Sequence, residues 1–255
     1  MANKVIFLGT GTSSGVPMLG CDCEACRSSD PKDSRMRSSV YVEYEGLKLL
    51  VDAGPDFRSQ LLRENIGHID AILLTHNHKD HTGGLDDVRS FNYFERRAFP
   101  IYCEEYVQES LKKEYSYAFA ENPYPGAPKY ELHTITDFPF EIGGVEIVPV
   151  RALHFTLPVL GYRFGKFGYL TDASKISEAD IDKFRGVDIF VINAIRFTRH
   201  ISHFTLDQAL EVAAKVGAKR TLLTHLSHQL PRHQELCKIL PEGVEPAFDG
   251  LRIDF

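Results

Sequence analysis

The stretch His76-Asn77-His78-Lys79-Asp80-His81 constrains this chain more than any other. It places three imidazoles and one carboxylate within six residues, directly after the apolar run Ala71-Ile72-Leu73-Leu74. A short continuous apolar run reads as a buried strand, so the polar cluster falls on the loop at its C-terminal end. Imidazole nitrogen and carboxylate oxygen suit a borderline divalent metal such as zinc, with manganese and iron also accommodated. Four ligands exceed what one tetrahedral ion with an open position needs. The spacing therefore points to two adjacent metals, with His76 and His78 on one and Asp80 and His81 on the other. A merely histidine-rich polar loop is the alternative, but only eleven histidines occur in 255 residues, so such a pile-up by chance is improbable.

Bulk properties narrow the class. A chain of 255 residues with 43% hydrophobic content can build a substantial core, and no convincing linker divides it, so one domain over residues 1–255 is expected. The net charge of −6, with both signs spread along the chain, argues against a broad electrostatic grip on extended nucleic acid. A local basic pocket stays compatible with it, as does a homodimer. No segment approaches the ~20 apolar residues of a membrane span. Met1-Ala2-Asn3 runs straight into the strand-like Lys4-Val5-Ile6-Phe7-Leu8-Gly9, without the apolar region and cleavage site of a signal peptide. Five cysteines, an odd number, do not look like a disulfide framework, and the expected home is a reducing cytoplasm.

Strand and helix signals alternate along the chain. Ser39 to Tyr44 and Leu47 to Val51 read as strands joined at Glu45-Gly46; Phe57 to Asn65 carries apolar residues at helical spacing. Leu85 to Arg89 and Val107 to Tyr117 read as helices. Glu131 to Thr136, Phe138 to Ile142, Val145 to Val150, Leu160 to Phe164, Ile189 to Ile192 and Arg220 to Leu223 read as strands. Thr205 to Lys215 reads as a helix capped by Thr205, and Gln234 to Ile239 as a short one. The Gly9-to-Pro17 segment is a loop that could approach an anion through its N–H groups. The proline- and glycine-rich Glu121 to Tyr130 segment is a surface loop with the makings of a lid.

A second ligand set lies near the N-terminus. Cys21, Cys23 and Cys26 put three thiols within six residues, the pattern of a closed structural zinc site. His228, three residues after His225, is the candidate fourth ligand. Cys103 and Cys237 lack neighbouring ligands and read as ordinary core or surface residues, as do His68, His133 and His233.

These features resemble a known family. The HxHxDH loop is the signature of the metallo-β-lactamase superfamily, and the resemblance extends over nearly the whole chain. It implies an α/β four-layer αββα sandwich, where periodicity alone yields only mixed α and β. It also implies that His154, Asp172 and His225, which follow in the right order, complete the dinuclear site, with Asp172 bridging. His76, His78 and His154 would serve one ion, and Asp80, His81 and His225 the other. Asp52 is expected to support the loop through hydrogen bonds rather than to ligate. The CxCxxC cluster, the HxHxDH loop, and Leu223-Thr224-His225-Leu226-Ser227-His228-Gln229 together resemble the PhnP-like phosphodiesterases, with structural zinc at Cys21, Cys23, Cys26 and His228. That branch implies a cytoplasmic enzyme using two catalytic divalent ions, zinc or manganese, plus one structural zinc. Its expected substrate is a small or cyclic phosphodiester, phosphoribosyl cyclic phosphate or nucleotide-like, attacked by metal-activated water. The resemblance makes His203 the general acid, with Asp80 also essential to the chemistry; His200 is the competing acid. Arg196 and Arg199 on the same loop could bind phosphate or simply face solvent. Asn193 stands where related sequences often carry an acid, which puts rate or substrate in question. The alternatives are a ribonuclease Z-like tRNA 3′ endonuclease, although the Gly- and basic-rich arm of that activity is missing, and a thioester or lactam hydrolase.

Overall fold

A computed structural model describes residues 3–255; Met1 and Ala2, part of the N-terminal segment read above, lie outside them. The strands are β1 (Lys4–Gly9), β2 (Ser39–Tyr44), β3 (Leu47–Val51), β4 (Ala71–Leu73), β5 (Phe99–Cys103), β6 (Tyr130–Thr134), β7 (Phe140–Ile142), β8 (Val145–His154), β9 (Leu157–Phe164), β10 (Phe167–Leu170), β11 (Ile189–Asn193), β12 (Arg220–Thr224), β13 (Val244–Pro246) and β14 (Arg252–Asp254). The helices are α1 (Phe57–Arg63), α2 (Lys79–Thr82), α3 (Arg89–Glu95), α4 (Glu105–Glu114), α5 (Glu178–Phe184), α6 (Leu206–Val216) and α7 (His233–Ile239). Two seven-stranded mixed sheets form, in the orders β14-β1-β2-β3-β4-β5-β6 and β13-β12-β11-β10-β9-β8-β7.

Apolar alternation explains why the sheets face each other. Val5, Phe7, Val40, Val42, Leu49 and Val51 of the first sheet pack on Leu160, Tyr162, Phe164, Tyr169, Val191 and Leu222 of the second. The opposite faces are covered by helices. Phe57 and Leu61 of α1 and Val107 and Leu111 of α4 pack on Ile72 and Ile101. Ile181 and Phe184 of α5, and Ala209, Val212 and Val216 of α6, pack on Phe190, Ile192 and Leu223. The result is the expected αββα sandwich. No helix among the described residues is long and apolar enough to cross a membrane.

Topology then places the site. β3, β4 and β5 run parallel, as do β10, β11 and β12, so their C-terminal ends share edges. Asp52, the His76–His81 segment, Asp172 and His225 all follow such ends. Asp52, Asp172 and His225 have φ of 64°, 54° and 53°, so the chain turns abruptly at each. Such left-handed conformations cost energy in residues other than glycine and concentrate where function demands them. Gly54 has no room for a side chain: a Cβ there would lie 2.0 Å from the Asp80 carbonyl oxygen, so the loop after β3 and the histidine loop can close together.

Several elements differ from the sequence expectation. β8 continues to His154, so this histidine is the last residue of a long strand and not a loop residue beyond a shorter one. The segment read as helical at Leu85 to Arg89 is a 3₁₀ turn, followed by α3, whose exposed Tyr93 and Phe94 carry no apolar stripe. β5, α5, β13 and β14 were not legible; their sequences are short or amphipathic, and the strands form through pairing with distant partners. Pro125, Gly126, Ala127 and Lys129 of the proline-rich loop line a groove with α3. Gly9 and Gly11 serve close packing on the Arg35–Arg37 backbone: a Cβ at Gly9 would meet the Arg37 carbonyl oxygen at 1.9 Å.

Candidate metal centre

Three overlapping groups of donor atoms converge between the sheet ends. His76, His78 and His154 form one, Asp80, His81, Asp172 and His225 a second, and His154, Asp172 and His203 a third that shares a residue with each, with the donor atoms of each group within 4.8 Å of one another. The Asp172 carboxylate reaches the first two: Oδ2 lies 4.0 Å from His76 Nε2 and 3.4 Å from His81 Nε2, while Oδ1 lies 3.0 Å from His225 Nδ1.

The hydrogen bonds around the rings set which nitrogen faces inward. His81 Nδ1 lies 2.7 Å from Asp52 Oδ2, His154 Nδ1 lies 2.7 Å from the Ser202 carbonyl oxygen, and His76 Nδ1 lies 2.9 Å from Thr75 Oγ1. The carboxylate and carbonyl can only accept. The Thr75 hydroxyl is already donated to Asp52 at 2.9 Å, so it too accepts from the ring. In the neutral ring each Nδ1 therefore carries the proton, which leaves the Nε2 lone pair as the ligand atom. His76 Nε2 and His81 Nε2 are buried without a hydrogen-bond partner among the described residues. His81 Nε2 lies 3.3 Å from Asp80 Oδ2 and 3.4 Å from Asp172 Oδ2 without hydrogen-bond alignment to either. Donors that approach this closely without pointing at one another point instead at a shared centre. The residues fit divalent metal ions.

Charge tells the same story. Burial disfavours a charged His81, yet Asp172, Asp52 and Asp80 together hold it well above its ordinary value. Burial would raise Asp172, but His225 and His81 hold it well below the usual carboxylate range. A buried cluster with three carboxylates calls for compensating positive charge.

His203 closes the other side. Its ring centroid lies 4.5 Å from that of His154 and stacks at 4.8 Å on His225. His200 lies one ring further out, 4.9 Å from His203. Burial pushes His203 down to about 3; Asp172 opposes the fall, and His225, His154 and His200 add to it. A general acid at neutral pH is ordinarily an imidazole near its usual value; this one departs from it because the side chain is enclosed and ringed by other imidazoles. Arg196 is committed to its own loop, donating to the Thr198 and Arg199 carbonyl oxygens and to Gln229 Oε1, which leaves the exposed Arg199 as the available cation there.

Sequence reasoning missed several supporting groups. Thr75, adjacent to His76, was available as a signal; Ser202, the role of Asn193, and Ser38, whose Oγ lies 3.2 Å from His225 Nδ1, were not. Asn193 holds Ala173 at two points, accepting from its N–H at 2.8 Å and donating to its carbonyl at 3.0 Å. The same carbonyl accepts from Phe204 N at 2.7 Å. The peptide after Asp172 is thereby tied to the one after His203. An amide suits this place because one end must accept and the other donate, which an ionised carboxylate cannot do.

The second cluster assembles as well. Cys21, Cys23, Cys26 and His228 offer donor atoms within 4.8 Å of one another, with His228 Nδ1 at 3.2 Å from Cys21 Sγ and 3.5 Å from Cys23 Sγ. The Cys26 backbone N–H draws the Cys23 thiol down to about 6, and burial pushes Cys26 up to about 11. The residues read as ordinary lie elsewhere. His68 sits between Asp70 and Glu95, His133 stacks on Tyr102, His233 is buried against Phe248, and Cys103 is in the core.

A family model described as a beta-lactamase superfamily domain matches residues 48–226. The crystal structure of a diphosphatase from the PhnP family superposes with a TM-score of 0.93 at 43% identity, covering 100% of this chain and 98% of that one. The chain belongs to the PhnP branch of the metallo-β-lactamase superfamily. Zn²⁺-bound PqqB from Methylobacterium extorquens shares the fold, with a TM-score of 0.81, 19% identity, and coverage of 99% of this chain and 100% of that one. An octanoyltransferase from Porphyromonas gingivalis is 40% identical over 251 residues, covering 97% of this chain but 51% of its own length. This chain thus spans about half of that relative. Family model and superposition agree on the metallo-β-lactamase fold.

Proposed function

We propose that this PhnP-branch protein is a metal-dependent phosphodiesterase that hydrolyses small or cyclic phosphodiesters. The observation that carries this reading is the junction of two donor groups at Asp172 with a further imidazole, His203, stacked beside them. His76, His78 and His154 would hold one divalent ion, Asp80, His81 and His225 the other, and Asp172 both. When bound, two such ions neutralise phosphoryl charge and make water a stronger nucleophile. Asp52, Thr75 and Ser202 keep the ring tautomers that this requires. His203 is assigned the proton for the departing ester oxygen. Its ring is neutral in the free protein at pH 7, so that proton has to arrive with an anionic substrate beside it. Long nucleic acid is disfavoured by the net charge of −6.

A second reading is hydrolysis of a diphosphate bond, supported by the description of the 43% identical relative as a diphosphatase. A diphosphate leaves as phosphate, a weaker base than an alkoxide, and asks less of His203. The octanoyltransferase name belongs to a protein of about twice this length and supports no acyl transfer by the matched half. Assays of metal-replete protein, with zinc and with manganese, on bis(p-nitrophenyl) phosphate, a cyclic phosphodiester, a diphosphate diester and a thioester separate these readings. Turnover of the thioester alone would overturn the phosphodiesterase assignment. Metal analysis of the freshly purified protein is expected to return three ions per chain. A plateau below two under metal-replete conditions would count against a dinuclear centre.

For Cys21, Cys23, Cys26 and His228 we propose a closed structural zinc site. Closed thiolate sites contribute folding free energy, not chemistry. Cys23→Ser is therefore expected to lower Tm by roughly 5–10 °C while leaving kcat per folded molecule within about twofold. An unchanged Tm would argue that no metal is held there.

A further inference from the structure

Among the described residues, four of the seven non-glycine residues with positive φ surround the metal centre: Asp52, Phe155, Asp172 and His225. Three of them present a carboxylate or imidazole to the centre or its supports. Phe155 does neither. It is the first of two residues joining β8 to β9, with φ of 58°, where a tight hairpin favours glycine or asparagine. An aromatic side chain in this conformation is strained. The backbone is nevertheless pinned. Phe155 N–H donates to Ser174 Oγ at 3.0 Å, and Ser174 donates to the Leu153 carbonyl oxygen through its hydroxyl at 3.0 Å and its N–H at 2.8 Å.

The Phe155 ring does not serve the core, being 55% exposed. Ile201, 68% exposed, immediately precedes Ser202, whose carbonyl accepts from His154 Nδ1. Two exposed apolar residues are therefore tied to one metal-ligand candidate, Phe155 covalently and Ile201 through Ser202. His78, exposed beside His154, marks this as the open side.

We propose that Phe155 and Ile201 form a platform for a planar ring carried by one ester arm of the phosphodiester, a nucleobase or an aryl group. This rests on the phosphodiesterase reading for its substrate and deepens it by naming the arm. An exposed aromatic held in a strained hairpin beside the reacting centre has its ring free to stack on such an arm, and stacking of this kind is tolerant of ring identity.

Phe155→Gly in the full metal-loaded chain tests it. The probes are adenosine 5′-monophosphate, benzyl phosphate and ribose 5-phosphate, with Kd measured by calorimetry. Wild type is expected to bind both ring-bearing phosphates more tightly than ribose 5-phosphate, and the variant to lose about tenfold for the ring-bearing ones only. Loss confined to the adenosine compound assigns the platform to nucleobases; loss for both assigns it to arenes generally. The Tm of Phe155→Gly should be unchanged or higher, since glycine relieves the strain. A platform is overturned if wild type shows no preference for a ring or binds none of the probes. It is equally overturned if the variant keeps the preference, or if its Tm falls and all three ligands weaken together. The methyl diesters of adenosine 5′-monophosphate and ribose 5-phosphate add a kinetic arm. There the variant should raise KM for the former alone, with kcat retained. Absence of turnover on both methyl diesters, with the binding preference intact, would instead reject the phosphodiesterase reading and leave the platform standing.

Discussion

Replacing Asp80 with alanine is expected to lower kcat/KM for phosphodiesters by roughly 10³-fold or more, a loss of about 4 kcal/mol of transition-state stabilisation, while the protein remains folded. Asp80 contributes its carboxylate to the Asp172-containing donor group and lies 3.3 Å from His81 Nε2. Burial alone would raise its pKa, but His81 and His225 hold it below the ordinary carboxylate range, so it is ionised and available as a ligand at neutral pH. Its backbone is held independently of the side chain by the close approach of Gly54 to the Asp80 carbonyl and by the Ala53 N–H donated to the His81 carbonyl at 2.8 Å. Removing the carboxylate should therefore cost metal and chemistry before it costs fold. Circular dichroism, Tm and metal content measured with the kinetics decide the matter. Full activity in a folded variant that holds its metal complement would contradict the assignment of Asp80.

His203→Ala is expected to slow hydrolysis of a diester with an alkoxide leaving group by roughly 10²–10⁴-fold. The loss on a p-nitrophenyl diester should be clearly smaller, because that group leaves as a weak base and needs little protonation. Diphosphate diesters should fall between the two. The comparison is informative because His203 also packs against His154 and His225. A residue that only holds those rings in place would hurt every substrate alike. Equal losses across the series would reject the acid role and redirect attention to His200, whose ring is less buried and lies 4.9 Å from that of His203.

Much of the fold was readable because strong local signals mark it. β2 and β3 alternate apolar residues around Glu45-Gly46, both with positive φ, and α6 begins at Thr205, where the expected cap is joined by Gln208 in a full capping box. The strands that escaped notice, such as β13 and β14, are three residues long and carry no periodicity to detect. They exist because Thr221 to Leu223 and Lys4 to Ile6 offer them unsatisfied backbone edges. α3 was missed because none of its residues is buried.

By itself the sequence determined the donor types and their order: three imidazoles and a carboxylate in six residues, three thiols in six more, and an apolar run ahead of the histidine loop that reads as a strand. Local spacing is enough for that, since a strand followed by a turn puts its next side chains at a sheet edge. Tertiary structure alone decided how those donors are used. The free nitrogen of His81 is set by Asp52, 29 residues away, and that of His154 by Ser202, 48 residues away. Asn193 reaches Ala173 from the neighbouring strand, and the His203 imidazole loses its proton because distant parts of the chain enclose it. Tautomer, protonation state and strain each depend on groups brought together only by the packing of two sheets. No pattern of neighbours along the chain encodes them legibly.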